Sequence, residues 1–185
     1  MTLDTVSPQQ ALLNLMFGDP PVRDLARAIR DSALAKALRD RRAYAGDEAL
    51  LELDLRRPAV LESVKDGLAQ GAARALAARV AQISAIYTYD PSANADNETG
   101  EDRPFDPVVH CLVRLAGPAP ELPEHVAALD RALVESLREV PALAFWVPAG
   151  LLDVIVLTEA EVQQGAGYGA LLGSVFAPAI EIWRR

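Results

Sequence analysis

Between Leu50 and Leu157 the apolar residues switch back and forth between alternate positions and helical spacing, and the order of those switches limits the folds open to the chain. Leu51, Leu53 and Leu55 alternate with Glu52 and Asp54, the pattern of a half-buried strand. Pro58 opens a helix in which Leu61, Val64, Leu68, Ala72, Leu76 and Val80 form one apolar stripe. Residues 82–89 are rich in β-branched and aromatic side chains and read as a second strand. Val109, Cys111, Val113 and Leu115 alternate along a third. Val126, Leu129, Leu133, Leu137 and Val140 then mark a helix that Pro141 ends or kinks, and residues 152–157 form a fourth strand. Strand, helix, strand, strand, helix, strand is the split βαβ, or ferredoxin-like, order. It predicts an α+β domain whose four-stranded sheet carries helices on one face.

The flanks extend this unit. Ser7-Pro8-Gln9-Gln10 combines a capping serine, a proline at the first helical position and a glutamine three residues after the cap. A second helix follows Pro20-Pro21, with Val22, Leu25, Ile29, Leu34 and Leu38 mostly at helical spacing and a basic tail at residues 39–42. Residues 1–45 thus read as a helical extension. At the other end, Thr158 and Glu161 form a capping box for a last helix. Gly165, Gly167 and Gly169 weaken that helix or delay its start, and residues 179–183 suit a short final strand. Residues 90–106 are acidic, polar and without periodicity, so they read as a mobile loop between the second and third strands. No internal repeat appears, and residues 1–185 read as one domain.

Composition removes several classes of function. With 51% hydrophobic and 24% charged residues over 185 positions, the chain can bury a core without staples. Cys111 is the single cysteine, so no internal disulfide can form. One cysteine and two histidines offer little for a zinc site, and neither a metal nor a cofactor is expected. The net charge of −8 disfavours nucleic acid and anionic membrane surfaces as partners. The first residues lack the layout of a signal peptide and no apolar run is long enough to span a bilayer, so a cytoplasmic location is expected. Lys36 and Lys65 are the only lysines beside many arginines, a usage that fits a GC-rich bacterial genome.

Alternation also places side chains that carry chemistry. If the leucines of the first strand face the helices, Glu52 and Asp54 face the other side, where His110, Leu112 and Arg114 of the third strand also lie. The ferredoxin-like order makes those two strands neighbours, with Asp153 and Ile155 of the fourth strand on the same face. A carboxylate beside His110 supports proton transfer near neutral pH. The structural alternative is a set of cross-strand ion pairs on a covered or solvated face. Leu112, Ile155 and Ile86, all placed on that face, favour a cover: the N-terminal helices, the last helix or a second subunit. Cys111 alternates away from His110 and is assigned to the core. The glycines at 165, 167 and 169 lack the lysine and hydroxyl residue of a phosphate-binding loop, and the acidic loop lacks the ligand spacing of an EF-hand.

Four segments carry a resemblance to the C-terminal domain of SseB-like ("enhanced serine sensitivity") proteins. They are Leu53-Asp54-Leu55-Arg56-Arg57-Pro58, Ala85-Ile86-Tyr87, Val147-Pro148-Ala149-Gly150-Leu151-Leu152-Asp153-Val154-Ile155 and the terminal Trp183-Arg184-Arg185. The resemblance runs from about residue 50 to the end and departs from the family in the two N-terminal helices and the long acidic loop. It supplies no catalytic residues and implies a regulatory, non-enzymatic role. Together these readings predict a non-catalytic regulatory, protein-interaction or small-ligand-binding module, with a protein partner or a homodimer. The alternative is a small acid–base enzyme using Glu52, Asp54, His110 and Arg114.

Overall fold

A computed structural model describes residues 20–45, 57–91, 105–175 and 178–185. The strand expected at 51–55, with Glu52 and Asp54, lies outside these residues, as do the first expected helix and most of the acidic loop. The described chain runs α1 (Pro20–Ala45), α2 (Pro58–Arg79), β1 (Ile83–Thr88), β2 (Val109–Leu115), α3 (Leu122–Arg138), β3 (Leu152–Leu157), α4 (Glu159–Gln164), a 3-10 helix (Gly167–Gly173) and β4 (Ile180–Arg184). Among the described residues no helix is long and apolar enough to cross a membrane.

The molecule is α+β, with one mixed four-stranded sheet in the order β3-β2-β1-β4. β1 runs antiparallel to both β2 and β4, while β2 and β3 are parallel and joined through α3. This order corrects the ferredoxin-like expectation. There, the strand at 51–55 would sit beside the third strand; here β2 is bordered by β1 and β3, so its hydrogen-bonding edges are taken. A parallel neighbour needs a long crossover, and the connection through α3 is long enough to bring β3 directly alongside β2.

The helices form the thick side of the molecule. α2 is buried nearly all round, from Val60 and Leu61 to Ala75, Leu76 and Ala77, because it lies between the sheet and α1. α1 packs on α2 and α3 rather than on the strands. Its deepest positions are Val22, Ala26, Ile29, Ala33 and Ala37, whereas Leu25 and Leu34 stand half-buried beside them. Glycines on α2 are the reason. A Cβ on Gly67 would stand 2.6 Å from the Ala33 Cα, and one on Gly71 would stand 2.5 Å from an Ile29 methyl. The two backbones approach so closely that alanine suits the seam better than leucine. Polar ties hold α1 in place at both ends. Glu139 accepts from Arg27 Nη2 at 2.6 Å and from Arg30 Nη1 at 2.9 Å, while the Ser63 hydroxyl of α2 accepts from Lys36 at 3.4 Å and donates to Asp40.

Side-chain alternation on β2 follows the sequence reading. Val109, Cys111 and Val113 join the helix-side core, and Leu112 joins a second, smaller core on the reverse face. A register irregularity in β1 between Ile83 and Ala85 alters the expectation for Ile86. It puts both Ile83 and Ile86 on the helix side, and Ala85 and Tyr87 on the reverse face.

Candidate functional site

The reverse face of the sheet is where the candidate residues meet. Leu112, fully buried, forms its centre with Ala85, Tyr87 and Leu157. Val162 of α4, Leu171 and Leu172 of the 3-10 helix and Ala179 cover this patch. The cover is therefore the C-terminal segment, one of the three covers considered, and α1 lies on the opposite side.

Local chemistry builds this cover. The Thr158 hydroxyl accepts from the Glu161 N–H at 3.1 Å, and the Glu161 carboxylate accepts from the Thr158 N–H at 2.9 Å, which completes the expected capping box. α4 ends after one and a half turns at Gly165, whose φ of 58° stops the helix in the left-handed region. The chain then folds back so tightly that a Cβ on Gly169 would stand 2.2 Å from the Glu161 carbonyl oxygen. The glycine run serves close packing of the 3-10 helix against α4.

His110 lies at one end of the covered patch, with 13% of its side chain exposed. Its Nδ1 is 2.8 Å from Asp153 Oδ2, and its Nε2 is 2.8 Å from Asp106 Oδ2. A doubly protonated ring donates to both carboxylates; a neutral ring donates to one and sets a lone pair against the other. Burial works against ionisation of Asp106. The Val108 N–H, 2.9 Å from Oδ1, and the His110 ring outweigh it and hold the carboxyl below its usual range. The Tyr89 ring lies 5.5 Å from His110 and 5.7 Å from Tyr168. Burial first, then the Asp153 charge and Tyr168, push the Tyr89 hydroxyl up to about 12. Asp130 of α3 fixes the approach to β3 by accepting from the Leu151 and Leu152 N–H groups at 2.6 and 2.7 Å, which sets Asp153 opposite His110.

Alternation puts Asp153 on this face, whereas composition puts Asp106 in the acidic loop. Its signal was the Asp106-Pro107 pair just before the strand, a common turn opening in which the aspartate accepts from the N–H two residues on. Cys111 points into the helix-side core, and burial, followed by the Asp153 charge, raises its thiol to about 12. Among the described residues no group of three His, Cys, Asp or Glu side chains is placed to hold a metal ion.

No family model, curated protein or solved structure matches the chain.

Arg114 marks the other end of the face. It is four residues along β2 from His110, roughly 13 Å at the rise of a strand, with buried Leu112 between them. The two side chains cannot act on one small reacting group, so the structure does not bring Arg114 into the predicted cluster. Arg114 Nη2 instead pairs with Glu159, 3.1 Å away at the first position of α4. Beside this pair opens a pocket of about 630 Å³, lined among others by Ser84, Tyr87, Arg184 and Arg185. Sequence reading missed it because Arg114, Tyr87 and the final arginines come together only through the pairing of β1 with β2 and β4.

Proposed function

We propose that this chain is a non-catalytic small-ligand-binding module whose ligand occupies the pocket beside Arg114. One observation carries the reading: the uncovered end of the sheet face holds a pocket of about 630 Å³, within the size range of small-molecule sites. The His110 end supports it by contrast, since both ring nitrogens already face carboxylates of the same chain. The resemblance to SseB-like proteins is part of the same proposal and favours a regulatory role. Two of its segments, on β1 and at the end of β4, supply Tyr87, Arg184 and Arg185 to the pocket.

A thermal-shift screen of charged and neutral small molecules tests the proposal against a pocket-filling variant, Ala116→Trp. Ala116 is exposed on the pocket wall, so the indole fills space without disturbing the core. Ligands that raise the melting temperature of the natural chain should lose their effect in the variant. Ligands that stabilise both proteins equally would place binding elsewhere.

A second reading, a small acid–base enzyme, has the Asp106–His110–Asp153 array in its favour. It requires a substrate to displace one carboxylate from the ring. A pH titration of the His110 ring signals with and without a stabilising ligand separates the readings. Binding in the Arg114 pocket leaves that titration unchanged, whereas a substrate at His110 shifts it.

A further inference from the structure

We infer that the pocket selects a small oxyanion, an organic carboxylate or phosphate, held by Arg114 and Arg184 with Arg185 at its rim; this rests on the ligand-binding proposal and specifies its ligand class. Three arginines and one glutamate contribute to the lining. Glu181, just outside the lining, pairs with Arg184, so the arginines keep a surplus of one positive charge in a chain of net charge −8 whose overall field would repel an anion. Screening makes the local arrangement decisive, because at physiological ionic strength charges beyond about 8 Å contribute little.

The donors are not exhausted by partners within the chain. Arg114 uses Nη2 on Glu159, which leaves Nε and Nη1 without a hydrogen bond among the described residues. Arg184 donates from Nε and Nη2 to Glu181 and from Nη2 to the Tyr87 hydroxyl, which leaves Nη1. Arg185 donates from Nη2 to the Ala77 carbonyl, which holds the side chain against α2. The free Arg114 Nε–H and Nη1–H point to different sides of the guanidinium, so an oxyanion takes single charge-assisted hydrogen bonds, one from Arg114 and one from the free Arg184 Nη1. The Ser84 hydroxyl is anchored on the Arg114 carbonyl at 3.0 Å, and the Tyr87 ring belongs to the buried patch, so the floor beneath the arginines is fixed. Apolar surface from Ala85 and Leu115 suits the carbon part of an organic acid better than a bare inorganic ion.

Amide-resolved NMR titration with inorganic phosphate and, separately, with succinate tests the inference, using sodium chloride at equal ionic strength as reference. Saturable shifts at Ser84, Gly117 and Arg184 with either oxyanion are expected, and chloride should not reproduce them. Comparing the two probes tells a phosphate ligand from a carboxylate one. The double variant Arg114→Ala, Arg184→Ala should bind about tenfold more weakly or worse. Glu159→Gln should bind about threefold more tightly, because Arg114 loses its internal competitor. An unfolded variant cannot produce that gain, so the prediction survives any folding defect in the double variant. Shifts reproduced by chloride, or affinities unchanged in both variants, would overturn the inference. If neutral molecules bind and Ala116→Trp blocks them while both oxyanions fail, the ligand class is wrong and the pocket stands. If Ala116→Trp affects no ligand at all, both fall.

Discussion

The two ends of one sheet face use charge in opposite ways. At the His110 end two carboxylates meet an imidazole across distances of 2.8 Å, beside the ring of Tyr89. At the Arg114 end three arginines border open space. Sequence places both residues on one face of one strand, so alternation treats them alike. What separates them is the reach of the C-terminal cover, which packs on Leu112 and Tyr87 and leaves the far end of β2 open. Polar residues on a shared face therefore pair among themselves or border open space according to what packs beside them.

Leu112→Ala should break the contrast most severely, because this side chain separates the two ends and is fully buried. Chemical denaturation should report a loss of about 2–5 kcal/mol. Gly169→Ala comes next. Its methyl collides with the Glu161 carbonyl, so the cover must shift, at a cost of about 1–3 kcal/mol. Faster amide exchange at Tyr87 and Leu112, with the helix-side core unchanged, would confirm that the cover alone has loosened. Wild-type exchange rates in a destabilised variant would assign the cost elsewhere.

His110→Ala should destabilise by about 1–2 kcal/mol, less than a buried ion pair would, since Asp106 and Asp153 keep 45% and 47% of their side chains exposed. The same variant should leave oxyanion binding near Arg114 unchanged. Coupling between the two would show that the ends are not independent.

Acid sharpens the comparison further. The folded state lowers the Asp106 carboxyl, so its contribution is complete above the unfolded aspartate value of about 3.9 and is lost as pH falls through the lower folded value. Glu139 behaves in the same way over a wider window. Its hydrogen bond from Arg27 prevails over burial, Arg30 assists, and together they bring its carboxyl to about 2. Asp106→Asn should flatten the acid limb of the stability curve slightly and Glu139→Gln more strongly, as read from melting temperatures between pH 5 and 2. Arg114→Ala should have the smallest effect, below about 0.5 kcal/mol, because its pair with Glu159 is half-exposed. A larger loss would mean that the open end is structural.

The strands near 83–88, 109–115 and 152–157, the proline-opened α2 and the Thr158–Glu161 capping box were all legible in the sequence, since each depends on residues close along the chain. So was the shared face of His110, Leu112, Arg114, Asp153 and Ile155, which alternation and a common sheet determine. Glu52 and Asp54 lie outside the described residues, and β3 borders β2 where their strand was expected. Ile86 was misassigned because a single register irregularity in β1 reverses a side chain's face and leaves no periodic signature.

Element types, caps and side-chain alternation were thus determined by the sequence itself, through interactions spanning a few residues. Tertiary structure alone decided that β3 lies beside β2, that Asp106 and Asp153 clasp His110, and that Arg114, Arg184 and Arg185 share a pocket. Those outcomes depend on which strands hydrogen-bond and where the last helices come to rest. Such choices between segments far apart in the chain are made by packing energies that no local pattern contains.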